Sequence, residues 1–250
     1  MPAMITRIVI ATALSALSVS CYANKVDLSI MGGGTLSNSS NRSTVQINNV
    51  VTNYYKPSSN NTIGSLAGIG VGHTFENIFN RPFNFSIGLS AYYADLDKVR
   101  GTEYPFANGG NFDTLDYQFN VKSSSVMLEP RFIYSHCAWQ PYLLAGVGIA
   151  WNRLDNYQEQ PSNPALSAAP APFYKSNTRS SFAYEAGIGV QHSLFHDQKH
   201  NVDYLASLDY RYMNFGAGRL VNFPGMTSND YLGVPNINLQ ALMLSLKASF

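Results

Sequence analysis

The sequence predicts an all-β fold, an eight-stranded antiparallel transmembrane β-barrel with short turns at one end and four long loops at the other. Three observations carry this. Apolar residues recur at every second position in eight separate segments. The connections between those segments alternate between short and long. The composition is poor in charge: 12% of the 250 residues are charged, about half the roughly 25% of an ordinary soluble domain.

The missing charge is replaced by Gly, Tyr and Phe, at 19, 16 and 14 residues, and by many Asn and Ser. So many aromatics exclude a disordered chain, and the scarcity of charge excludes a coiled coil. A net charge of +1 supplies no basic field, so nucleic acid is not an expected partner.

The chain divides into a leader, residues 1–23, and a barrel domain, residues 24–250. Ile8 to Val19 form an apolar run behind the single positive charge Arg7, and Cys21-Tyr22-Ala23 closes it. This is the pattern of a secretory signal peptide cleaved after Ala23. The run is too short to span a bilayer as a helix. Acylation of Cys21 as a lipoprotein is the lesser alternative, because Ser18 stands where that pattern has Leu. Cleavage leaves Cys137 without a partner, so no intramolecular disulfide framework is expected.

The strands follow in order. Val26, Leu28 and Ile30 alternate with Asp27 and Ser29. Ala67 to Phe75 and Phe83 to Tyr93 put bulky apolar residues on one parity and Gly, Ser, Asn or Thr on the other. Tyr117, Phe119 and Val121 alternate with polar residues. The pattern then changes parity across Ser123-Ser124-Ser125 and continues as Val126, Leu128, Phe132 and Tyr134, which predicts a β-bulge. Leu143 to Trp151, Phe182 to Val190, Val202 to Tyr212 and Leu242 to Phe250 complete the set. One face is bulky and aromatic, the other crowded with small residues. Small residues suit a narrow lumen and bulky ones suit lipid.

Short connections fall at Glu76–Arg81, Ser135–Gln140 and Phe195–Asn201. Long ones fall at Ser37–Thr62, Asp95–Thr114, Asn152–Thr178 and Asn214–Asn236. Four prolines between Asn152 and Thr178 predict that this loop resists regular structure. Short turns belong in the periplasm and long loops outside the cell. Two aromatic belts fit that orientation. Tyr93, Tyr117, Phe119, Trp151, Phe182, Tyr184, Tyr210 and Tyr212 stand near the long loops, and Phe75, Phe83, Phe85, Phe132, Tyr134 and Phe250 near the short turns.

With this topology the mature chain resembles the small eight-stranded outer-membrane barrels of the OmpA, OmpX and OmpW type, including opacity-like surface proteins. The resemblance implies an outer-membrane location, with lipid and lipopolysaccharide as surroundings. It also implies that the terminal strand, apolar at alternate positions up to Phe250, is the signal read by the barrel-assembly machinery. The chain stops at Phe250, so no peptidoglycan-binding domain is expected.

Chemistry is harder to find. No His is followed two positions later by Ser, as a lipid A deacylase resemblance would require. His196 and His200 lie four apart in a turn, where that spacing does not align metal ligands. Gly32-Gly33-Gly34 lacks the Lys-Ser/Thr of a phosphate loop. No catalytic, cofactor or metal site is therefore expected. One constellation stands out on the inner parity: Glu129, Arg131, Glu185, Asp203, Asp209, Arg211 and Lys247. Its first reading is a salt-bridged plug, and its second a gate or narrow ion path. The expected function is surface interaction, such as adhesion to host or cell-surface ligands through the loops, or envelope integrity. The alternatives are a small pore or transporter for small hydrophobic molecules and, less favoured, a lipid A-modifying enzyme.

Overall fold

The computed structural model describes residues 25–38, 43–58, 61–76, 82–107, 113–163, 170, 174–222 and 230–250. The leader lies outside the described residues, as do most of the turn after Glu76 and parts of all four long connections.

Eight antiparallel strands close on themselves: β1 (Lys25–Asn38), β4 (Thr62–Phe75), β5 (Phe83–Tyr104), β6 (Leu115–Tyr134), β7 (Trp139–Pro161), β8 (Asn177–Asp197), β9 (Val202–Asn214) and β12 (Asn238–Ser249). Each pairs with its sequence neighbour, and β12 pairs with β1 to close the ring. Backbone bonds between Val26 and Phe250 extend that seam by one residue. Closure leaves no unpaired edge around the ring.

The barrel is taller on one side. β5, β6 and β7 run 22, 20 and 23 residues, against 14, 14, 13 and 12 for β1, β4, β9 and β12. Two short strands, β2 (Ser43–Gln46) and β3 (Thr52–Pro57), form a hairpin that pairs with the upper part of β5. The connection from β9 to β12 folds inward and carries a two-stranded ladder, β10 (Gly218–Arg219) with β11 (Gly233–Val234). Much of what reads as loop in the sequence is therefore folded wall and cap. In particular, β7 continues to Pro161 and takes in the first ten residues of the stretch expected to resist regular structure.

The extra height rests on bulges that the sequence reading puts in the wrong strand. β6 keeps one inward parity from Leu115 to Ile133, without a bulge at the serines. The bulges lie in its two neighbours. The β5–β6 register shifts between Asp95 and Lys98, and the β6–β7 register shifts where β7 passes Asn156. Asp97 and Asn156 have φ of 62° and 55°, the left-handed region that Asp and Asn tolerate best among non-glycine residues.

The regular β6 corrects two belt residues, Tyr117 and Phe119. Tyr117 is 3% exposed and faces the interior, as do Phe119 and Val121. The alternation is intact, but its chemistry reverses. Below Ser123 the inward residues include Ser125, Glu129 and Arg131, with Met127 and Ile133 between them. Above it they are apolar, while Gln118, Asn120 and Lys122 face outward. The upper half is thus built like a water-soluble barrel. Its core joins Phe119, Val121 and Leu154 to Val45 and Tyr55 of the hairpin, and to Phe215, Leu220, Leu232, Val234 and Ile237 of the cap. Each such side chain contributes roughly 1.5–3 kcal/mol on burial.

Candidate functional site

The inward parity of six strands converges on Arg211. Along β9 the inward residues run Asp203, Leu205, Ser207, Asp209, Arg211 and Met213, so the ionic groups sit below an apolar layer. Arg211 is fully buried. Its Nε donates to Asp209 Oδ1, its Nη2 lies 3.3 Å from Asp209 Oδ2, and its Nη1 donates to Tyr92 Oη at 2.5 Å. Nη1 also lies 3.4 Å from Glu185 Oε2 and 3.5 Å from Glu129 Oε2. The Tyr92 hydroxyl in turn donates to Glu129 Oε1, and Arg131 Nη2 holds Glu129 Oε2 at 2.8 Å. Tyr142 donates to Asp209 Oδ2 at 2.7 Å. A glycine makes this last contact possible: a Cβ on Gly189 would stand 2.5 Å from the Tyr142 ring and 2.6 Å from Asp209 Cβ.

Five of the seven charged residues singled out in the sequence thus meet at one level: Glu129, Arg131, Glu185, Asp209 and Arg211. The other two belong to a second tier at the short-turn end. Lys247 Nζ is 3.5 Å from Asp27 Oδ2, which also accepts from Thr74 at 2.5 Å. Asp203 pairs with Lys25 at 2.8 Å and with His196 at 2.7 Å, and Lys25 reaches Glu76 at 2.7 Å. Sequence reasoning passed over Tyr92, Tyr142 and Asp27. Parity alone would have found the first, because its neighbours Ala91 and Tyr93 face outward.

The upper half is sealed by a polar bolt. Asn152 is fully buried and donates to the carbonyls of Phe215 at 2.6 Å and Ala217 at 3.0 Å, while accepting from Ser123 at 2.7 Å. Ser181 donates to the same Ala217 carbonyl at 3.0 Å. The chain turns between these two carbonyls at Gly216, whose φ of +70° and closeness to Ser181 leave no room for a side chain.

The outer wall completes the geometry. Tyr93, Trp151, Phe182, Tyr210 and Tyr212 are exposed at the upper level, joined by Tyr184. At the lower level Phe75, Phe85 and Phe132 form a ladder of rings at 6.3 and 5.5 Å, and Phe83 packs on Tyr134 at 5.3 Å. Between the two levels Ile30, Ile69, Leu89, Val147, Ile188 and Leu244 face outward. A closed barrel with an apolar outside and a polar inside satisfies its backbone and its surface in a bilayer, and that form is the one the outer membrane of bacteria uses. The protein is an eight-stranded outer-membrane β-barrel. Lipid surrounds its apolar outer wall.

No family model matches the chain, and no curated protein matches it in sequence. Solved structures are similar to it in architecture. Neisserial surface protein A aligns at 14% identity over 90% of this chain and 97% of its own, with a TM-score of 0.45. The attachment invasion locus protein of Yersinia pestis, solved with the heparin analogue sucrose octasulfate, aligns at 17% identity over 90% and 99%, with a TM-score of 0.34. The outer membrane protein OprG of Pseudomonas aeruginosa aligns at 12% identity over 90% and 95%, with a TM-score of 0.36. At these identities and scores the likeness does not extend to what those proteins bind or do.

Proposed function

We propose that the protein is a surface-interaction barrel, whose membrane half is a closed anchor and whose extracellular half presents a binding surface to host or cell-surface ligands. The observation that carries this is the upper half itself. Strand extensions, the β2–β3 hairpin and the β10–β11 cap share one core, so the surface they present is held rigid. Rigid presentation lowers the entropic cost of binding a partner. The ionic level below supports the plug reading over the pore: eight strands leave little bore, and Arg211, Tyr92 and Tyr142 reach across what there is. In the same reading Phe250, half-exposed on the outer wall, is the residue offered to the barrel-assembly machinery.

The test uses whole cells. Replacing Ser43–Pro57 with a short Gly-Ser linker should abolish adherence to host cells or surface polysaccharide while preserving the heat-modifiable band of a folded barrel. Unchanged adherence would reject the reading. A steady, large single-channel conductance from the wild type would favour the small pore instead.

A further inference from the structure

Above the upper belt two carboxyl groups enter the mouth from either side of β6: Glu103 of β5 and Glu159 of β7. Glu103 is 1% exposed. Its Oε1 accepts from Asn53 Nδ2 at 2.5 Å. Its Oε2 meets no donor of good geometry among the described residues. Tyr55 and the Glu159 carboxyl face it, and Tyr157 donates to Glu159 Oε1. No Lys or Arg forms an ion pair with Glu103 among the described residues.

Around these carboxyls four tyrosines form an unbroken ring. Tyr55 meets Tyr117 at 5.3 Å, Tyr117 meets Tyr157 at 6.5 Å, Tyr157 meets Tyr174 at 5.0 Å, and Tyr174 returns to Tyr55 at 6.4 Å. A groove of about 800 Å³ runs past the ring, lined by Tyr117, Tyr157 and Glu159 of the inward parity and by Gln118, Gln158 and Gln160 of the outward one.

Two carboxylates cannot face each other in a buried site without a proton or a cation between them. Aromatic rings offer a cation their negative faces. Glu103 already takes hydrogen bonds from Asn53 and from the Tyr55 and Glu159 side, so a cation that displaces the proton between the carboxyls must offer N–H groups, which a quaternary ammonium lacks. Magnesium demands near-octahedral oxygen coordination and keeps its waters, which a wall of phenol rings does not provide. We propose that this cage binds the ammonium group of a small primary amine from outside the cell, its N–H groups donating to Glu103 and Glu159.

Without a ligand the proton sits on Glu103: burial and the adjacent Glu159 carboxyl push it up to about 9. The other groups facing it are Asn53 and Tyr55 from β3, Tyr117 from β6, Tyr157 from β7, and Tyr174. Burial raises the four phenols above their ordinary range, so they stay neutral. Binding of an ammonium ion then releases the Glu103 proton to solvent. Affinity should rise with pH from 7 to 9, by up to tenfold per unit.

The experiment is calorimetric titration of the folded full-length protein in detergent with ethylammonium at pH 7, 8 and 9. Ethylammonium keeps its proton over this range, as lysine does. Tetramethylammonium, potassium and magnesium serve as comparators. The expected result is saturable ethylammonium binding that tightens with pH and releases protons, with tetramethylammonium at least tenfold weaker. Glu103→Gln should cost at least tenfold and flatten the pH dependence. Should that variant fail to fold, Glu159→Gln at the half-buried position carries the same loss of affinity. No binding at any of the three pH values, equal binding by either variant, or equal or tighter binding of tetramethylammonium or magnesium would overturn the proposal.

Discussion

The lower and upper halves of this barrel share strands and reverse their chemistry. Below the upper belt, Ile69, Leu89 and Leu244 face outward while Glu129, Asp209 and Arg211 face inward. Above it, Phe119, Val121 and Leu154 face inward while Gln118, Asn120 and Gln158 face outward. The backbone ladder does not change across this boundary. The solvent outside does, lipid below and water above, and each half places its apolar residues accordingly. Alternation therefore reports only that a strand has two faces. Which face is the interior must come from the surroundings.

The comparison breaks first at the plug. Arg211→Ala leaves Asp209 and Glu185 buried without their cation, which costs about 3–5 kcal/mol. We expect a lower urea midpoint for refolded protein in lipid vesicles, with insertion retained. Rare, small conductance in the wild type should become larger in this variant. An Arg211→Ala protein as stable as wild type would show that the lumen charges are solvated, not buried.

A matched pair sharpens it. Leu244→Arg, outward in the lower half, should cost roughly 2–4 kcal/mol near the midplane. Gln158→Arg, outward in the upper half, should stay within about 0.5 kcal/mol. Equal effects in vesicle refolding would mean that the boundary between the halves is misplaced.

Next is the bolt. Asn152→Ala removes two donated bonds; Ser181 still holds the Ala217 carbonyl, but the Phe215 carbonyl loses its side-chain donor, at about 1–3 kcal/mol. The cap should become open to protease added to intact cells, while the heat-modifiable band persists. If the band vanishes, the halves fold as one unit.

The smallest effect is a slope with pH. A carboxyl whose folded pKa lies above its unfolded value binds more protons when folded, so stability falls as pH rises between the two values. For Glu103 that window runs from the ordinary carboxylate range to about 9. The upper half should lose at most about 1.4 kcal/mol per pH unit across it, and Glu103→Gln should flatten the slope. The readout is protease resistance of the hairpin on folded protein.

Much of the lower half was legible in the sequence. Lipid demands bulky outward residues, and a narrow lumen demands small or paired ones, so the belt from Tyr93 to Tyr212 and the inward charges of β6, β8 and β9 could be placed by parity. Parity puts Tyr117 and Phe119 on the wrong face because their stretch of β6 lies past the point where the outside becomes water. The upper site was illegible for a second reason. Bulges at Asp97 and Asn156 each insert one residue, so Val99, Gly101 and Glu103 no longer continue the parity of Tyr92 and Ala94. No glycine marks either bulge, because Asp and Asn adopt the left-handed backbone themselves.

The unbroken run of β5, β6 and β7 from the lower belt to the mouth has a mechanical consequence. A contact made at the mouth and pulled away from the cell loads these strands along their length. Their cross-strand hydrogen bonds lie transverse to that pull and resist sliding together, many at once. A head joined by flexible linkers would instead swing, and its attachments would open one after another. Here the bilayer grips the same strands that meet the partner, so tension from outside passes into the membrane without a hinge.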